Sequence, residues 1–242
     1  MLVKLVSYLM KTNSFKKTVD NERYGELILK PDELFIRLKN EYLEEYKIKQ
    51  YQCSTNTADK LRQALLDSEE KILSLGSPTH NYPENHITGR MQHYNLVADS
   101  PVWNSIGFPL IKKIVSHYLG LEVGEELHIK SWGNILRLDQ KVFPHRHFGI
   151  PEDYDEIPQS VCGNVFLGAE VETSTTYILD GEKKDIPNLY GTFTLFPPNI
   201  PHAVRSYTGE GVRVSAAFDC FCISRDPTGN VTGDKWATWT HS

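Results

Sequence analysis

Residues 211–218 read Gly211-Val212-Arg213-Val214-Ser215-Ala216-Ala217-Phe218. Alternation of this kind marks a β-strand with two unlike faces. Val212, Val214, Ala216 and Phe218 share one face, and Arg213 and Ser215 share the other. Working outward, the chain after Gly124 keeps the same character. Short runs rich in Val, Ile, Phe, Tyr and Thr cover 126–137, 162–170, 174–180, 190–196, 201–207 and 211–223, with Gly, Pro and Asp between them. No helix-length crossover separates these runs, which excludes a parallel doubly wound sheet. The expected fold class is mainly β with packed helices, a jelly-roll sandwich with helices on one sheet.

Before Gly124 the spacing predicts helices. Leu34, Ile36, Leu38, Tyr42 and Tyr46 recur among charged residues from position 31, behind Pro31-Asp32-Glu33 in the first turn. A second segment opens at Thr57-Ala58-Asp59, carries Leu61, Leu65, Leu66, Ile72 and Leu75, and ends at Gly76 and Pro78. Residues 77–104, rich in His, Asn, Tyr and Pro, read as a long ordered loop, and 106–119 as a helix stopped by Gly120. The predicted organisation is a helical region over 1–124 packed on a β core over 125–242, together one compact domain.

Composition narrows the function. The chain has 242 residues, 40% of them hydrophobic, enough for a single large core. A net charge of −5 argues against the basic surface that nucleic acid or an anionic membrane requires. No run approaches the roughly 18 apolar residues of a membrane span. Residues 1–10 are apolar but interrupted by Lys4 and lack a small-residue cleavage site, so they read as a strand or helix. Cys53, Cys162, Cys220 and Cys222 have no framework spacing, which implies reduced thiols and a cytoplasmic location. The expected partner is a small molecule or an amino-acid or protein side chain, with no nucleic acid and no membrane. Oligomeric state is not legible.

Nine histidines stand out. Val142-Phe143-Pro144-His145-Arg146-His147 sets two imidazoles two residues apart, on one face of an extended segment where both can address one metal ion. His202 follows in Phe196-Pro197-Pro198-Asn199-Ile200-Pro201-His202. Neutral imidazole suits Fe, Zn, Cu and Ni, and three ligands with open positions are what a catalytic metal needs. Structural roles are expected for His80, His86, His93, His117, His128 and His241, with His86 and His93 as secondary candidates for a cleft wall. Trp132 and Tyr177 are expected in the core. Arg213 and Ser215, on the face opposite an apolar row, form a receptor for a carboxylate.

The order His145-x-His147, His202, Arg213-x-Ser215 resembles the double-stranded β-helix of the Fe(II)/2-oxoglutarate-dependent oxygenases. The flanking text, Ser131-Trp132-Gly133-Asn134-Ile135-Leu136-Arg137 and Gly191-Thr192-Phe193-Thr194-Leu195-Phe196-Pro197, is similar to uncharacterised members with an HxH motif. The resemblance covers roughly residues 125–223. It implies Fe(II) and 2-oxoglutarate as cofactors, with His145 and His202 on the metal. It also implies that Arg213 binds the distal carboxylate of 2-oxoglutarate, with Ser215 assisting and Asn134 reaching it from a neighbouring strand. The implied reaction couples decarboxylation of 2-oxoglutarate to oxidation of a substrate C–H bond, a hydroxylation, with no catalytic side chain beyond the metal centre.

One position departs from the family. The second ligand is normally Asp or Glu, and here it is His147. Three arrangements stay open: His147 on the metal, water in its place, or an acidic residue from 152–156. The same residues also resemble the wider cupin pattern, with Glu170 as a fourth ligand. That reading implies a dioxygenase or isomerase without 2-oxoglutarate, and a non-catalytic jelly-roll binding module is the remaining alternative.

Overall fold

Two antiparallel sheets carry the chain in a computed structural model that describes residues 36–38, 40–78, 82–147, 160–222 and 237–240. The larger runs in the order β1 (Ile36–Leu38), β2 (Lys49–Gln52), β8 (Thr192–Phe196), β5 (Ser160–Phe166), β10 (Arg213–Cys222), β3 (Glu126–Leu136) and β11 (Ala237–Thr240). The smaller runs β4 (Val142–His145), β9 (His202–Val204), β6 (Ser174–Leu179) and β7 (Glu182–Pro187). Among the described residues no helix is long and apolar enough to cross a membrane.

The two faces of the larger sheet do different work. Val214, Ala216, Phe218 and Cys220 of β10 are buried with Ile129 and Ile135 of β3 and Val161 and Val165 of β5 in the main apolar core. Ala58, Leu61 and Leu65 of α2 (Thr55–Asp67) and Ile111, Ile114 and Val115 of α5 (Phe108–Leu119) close that core from outside. The approach is tight at Gly133, where a Cβ would stand 2.3 Å from Leu65 Cδ1. On the opposite face the register sets Ser215 against Asn134 and Phe166, Ala217 against Trp132 and Asn164, and Asp219 against Lys130 and Cys162. This polar face looks toward the smaller sheet.

Local chemistry explains where the helical expectation fails. Within 31–75 the described residues form β1, a short α1 (Glu41–Glu45) and β2 before α2. The Asn40 side chain accepts from Leu43 N–H and caps α1, and Lys47, at φ 57, ends it one turn later. The chain then extends, and β2 joins the sheet beside β8. Ser54 caps α2 by accepting from Thr57 N–H, and the helix gives way at Ser68 to α3 (Glu69–Leu73). The 77–104 loop contains a short α4 (Leu96–Asp99) with Leu96 and Val97 buried. Strand β7 is highly charged, as suits an edge, and joins β6 through Asp180-Gly181, both at positive φ, the backbone of a type I′ hairpin turn. Expectations for residues 1–10, for the acidic stretch 151–156 and for His80 and His241 fall outside the described residues.

Candidate metal centre

His145 closes β4 and opposes His202, the first residue of β9, in antiparallel register. Two residues on, His147 donates its backbone N–H to Pro198 O at 3.1 Å, which ties the end of this segment to the turn before β9. The ring centroids lie 4.4 Å (His145–His202), 5.1 Å (His145–His147) and 5.0 Å (His147–His202) apart. One ring nitrogen from each gathers within 4.8 Å of the others, a grouping that can hold a metal ion.

The hydrogen bonds decide which nitrogen each ring offers. His145 Nδ1 lies 2.7 Å from Phe143 O, and His202 Nδ1 lies 3.1 Å from Ile200 O. A carbonyl oxygen only accepts, so both Nδ1 atoms carry the proton and both Nε2 atoms present lone pairs. His147 Nδ1 stands 2.6 Å from the Asp219 carboxylate, which again calls for a proton on Nδ1. Three Nε2 lone pairs therefore converge. His147 Nε2 and His202 Nε2 are 3.2 Å apart, close enough for one ring to donate to the other or for both lone pairs to meet one cation. That separation suits two nitrogens each about 2.1 Å from one ion at roughly 100°. The donor set fits a divalent transition metal.

Burial first, then the neighbouring His147 and His145, holds His202 well below its ordinary value, so the ring stays neutral. Burial alone would raise the Asp219 carboxyl, but His147, Lys130 and the Cys162 thiol together outweigh it and hold the group ionised. Lys130 Nζ sits 3.6 Å from Asp219 Oδ2.

All six residues expected at the site (His145, His147, His202, Arg213, Ser215 and Asn134) line one cavity of about 610 Å³. Arg213 is 2% exposed, donates from Nη1 to Ser215 Oγ at 2.9 Å, and pairs with no carboxylate among the described residues. Its Nε lacks an acceptor. Burial pulls its pKa from 12.5 down to about 10, which leaves it cationic at neutral pH. A buried cation with an unpartnered Nε and a hydroxyl beside it fits an arriving carboxylate. Asn134 Oδ1 accepts from Thr88 Oγ1 at 2.9 Å, so the 77–104 loop is pinned to β3 at the cavity wall.

The other expectations divide. Trp132 and Tyr177 are both buried as expected, Trp132 with its ring 5.8 Å from His147 at the cavity wall and Tyr177 in a second apolar cluster. Glu170 accepts the Gly211 N–H at 2.7 Å and takes no part in the histidine group or the cavity wall, so the fourth-ligand role fails. His117 meets the Tyr51 hydroxyl at 3.0 Å and His128 stacks on Phe221, both structural. His86 stacks on Tyr82, which lines the cavity. Asp219 and Lys130 went unread. Yet Asp219 continues the inward set Arg213, Ser215, Ala217, so extending the same alternation two steps would have found it.

By sequence, no family model and no curated protein matches the chain. By structure, the non-haem monooxygenase ThoJ, in a nickel complex, superposes at TM-score 0.56, with 13% identity over 78% of each chain. The fold is that of the iron- and 2-oxoglutarate-dependent oxygenases. The α-ketoglutarate-dependent carbocyclase SnoK of nogalamycin biosynthesis matches at TM-score 0.56 and 12% identity, covering 82% of this chain and 94% of its own. HygX from Streptomyces hygroscopicus, with nickel and 2-oxoglutarate bound, matches at 0.52 and 16% over 74% and 84%. The double-stranded β-helix expected from residues 125–223 is thus the observed fold.

Proposed function

We propose that the protein is a non-haem Fe(II)- and 2-oxoglutarate-dependent oxygenase, a hydroxylase in its simplest form, with His145, His147 and His202 as the metal ligands. One observation carries this reading: three Nε2 lone pairs and a buried, carboxylate-free Arg213 open into the same cavity. A metal site alone would suit any cupin-like enzyme, but the Arg213–Ser215 pair has no use there without an anionic cosubstrate. With Glu170 bound to the Gly211 N–H, the fourth ligand that the cupin alternative offered is absent from the site.

Iron bound at the three imidazoles would supply the redox chemistry and the chelation of a 2-oxo acid. The remaining work belongs to the chain. Arg213 receives the far carboxylate, with Ser215 Oγ held beside it by the guanidinium's own hydrogen bond. Thr88 occupies the Asn134 amide oxygen, which leaves the amide nitrogen of this cavity-lining residue as the group it can offer to the cosubstrate. Trp132, Phe196 and Val142 dry the surroundings of the ligands, which strengthens every charge interaction there. The substrate is a small molecule or an amino-acid side chain admitted beside Tyr82 and Met91 of the 77–104 loop.

The test is anaerobic titration with Fe(II) and then with 2-oxoglutarate. A weak visible charge-transfer band, absent in Arg213→Ala that still holds metal, is the expected result. Stoichiometric metal without any band would return the cupin reading. No metal binding would leave only a binding module.

A further inference from the structure

Given the tri-histidine centre proposed above, the structure assigns Asp219 a positioning role toward it. Its carboxylate holds His147 in the tautomer that offers Nε2 to the metal. It also restores, just outside the ligand set, the negative charge that a histidine in place of the usual carboxylate removes.

The geometry singles out this contact. His145 and His202 rest their Nδ1 atoms on neutral carbonyl oxygens, while His147 rests its Nδ1 on an ionised carboxylate at 2.6 Å. Both side chains of the pair are about 5% exposed, so the interaction is little screened. Asp219 is delivered by the β10 register, opposite Cys162 on β5 and Lys130 on β3. Its Oδ1 meets no aligned hydrogen-bond donor among the described residues, and the His147 Nδ1 atom 2.6 Å away is the group placed to serve it.

Asp219 does not itself ligate the same ion. Two ligands at about 2.1 Å from a metal stand roughly 3 Å apart or more at ordinary angles, and 2.6 Å is the spacing of a charge-assisted hydrogen bond. The companion grouping of His147, Cys162 and Asp219 is a poor separate site. It would need the proton off Nδ1, and burial pushes the Cys162 thiol well above its usual range, against the thiolate. A carboxylate behind a ligating imidazole fixes ring orientation and raises the basicity of its far nitrogen, and losing such a partner lowers metal affinity about 10- to 100-fold. Lys130, 3.6 Å from the other carboxylate oxygen, keeps the charge in place.

The experiment compares wild type, Asp219→Asn and the double variant Lys130→Met/Asp219→Asn, which removes the facing cation together with the carboxylate. Each is titrated anaerobically with Co(II) against a chelator, and the visible d–d spectrum is recorded. Wild type is expected to bind one Co(II). The variants should bind it about 10- to 100-fold more weakly with a changed d–d envelope, because Asn can present its own N–H to Nδ1 and favour the wrong tautomer. Wild-type affinity and spectrum in both variants would overturn the role of Asp219 and leave the tri-histidine centre standing. Failure of wild type to bind Co(II) would instead remove the centre, and the inference with it. Ring-nitrogen NMR on the wild-type protein gives an independent reading whether or not the variants fold: Nδ1–H on His147 supports the assignment, and Nε2–H ends it.

Discussion

Arg213 and Ser215 lie two residues apart on one face of β10, joined by a 2.9 Å hydrogen bond inside the cavity that the three histidines also enter. The guanidinium is 2% exposed and has no carboxylate partner among the described residues. Replacing it by Ala should raise the KM for 2-oxoglutarate by about 10²-fold, in line with truncating one partner of a buried charge-assisted contact. Metal affinity should stay within a factor of a few. Arg213→Lys keeps the charge but not the two-pronged geometry, so it should rescue only part of the loss. Steady-state kinetics on 2-oxoglutarate with a chelator-competition assay separates the two effects, and equal loss of metal and cosubstrate binding would count against the assigned roles.

His145 and His202 meet across the β4–β9 ladder, and each uses Nδ1 on a carbonyl, so each has one nitrogen for a metal. Either Ala variant should abolish stoichiometric binding of Fe(II) or Co(II), read by equilibrium dialysis. His147→Ala discriminates between a triad and a pair: retained metal and turnover would show that His147 is no ligand.

Metal binding should stabilise the fold. An ion that binds only the folded chain adds about 2.7 kcal/mol at a hundredfold excess over its Kd. Added Co(II) should therefore raise Tm by several degrees and EDTA should reverse the gain. A melting curve indifferent to both would argue against the site.

The apo-protein should lose stability on mild acidification. The folded state holds His202 below its ordinary value of 6.5, chiefly through burial. As pH falls through the unfolded value, the unfolded chain takes up the proton first, so stability is full above about 6.5 and declines below it, by at most about 1.4 kcal/mol per pH unit for one such group. Asp219 acts in the same direction but in a more acidic window. Its lowered carboxyl contributes above 3.8 and loses its contribution as pH falls through the still lower folded value. Urea midpoints between pH 7.5 and 5 should shift downward, and His202→Asn should flatten that slope.

Gly133→Ala is predicted to destabilise by about 1–3 kcal/mol, because its Cβ would collide with Leu65 on α2. Equilibrium unfolding measures it. Gly120→Ala offers a useful contrast: nothing stands within 4 Å of its Cβ, and its cost is confined to the left-handed φ of 63 that stops α5.

What the sequence made legible follows from periodicity. The alternation in β10 placed Arg213 and Ser215 inward, and the i, i+2 spacing of His145 and His147 put both into one site, because those relations are local. Register is not local. The pairing of Ser215 with Asn134, and of Asp219 with Lys130 and Cys162, depends on how three distant strands align, and nothing near Asp219 in the chain announces a histidine partner. The strand β2 was hidden because Leu38, Tyr42 and Tyr46 mimic a helical repeat. The Asn40 cap and the Lys47 turn that confine α1 to five residues are local, but neither announces that the next residues pair with β8.

Strand β2 has a consequence for anyone who would shorten the chain. It lies along β8, the strand leading to the turn before His202, and its Gln50 side chain reaches Thr194 while Cys53 N–H donates to Gly191 O. A fragment begun at Gly124 would keep the three histidines and the Arg213 pocket, yet it would bare Thr192–Leu195 of β8 as an unpaired edge with apolar side chains on it. Such an edge recruits strands from other molecules. The C-terminal half, expressed by itself, is therefore expected to assemble with its own copies before it binds anything else, so its solubility depends on residues remote from the cavity.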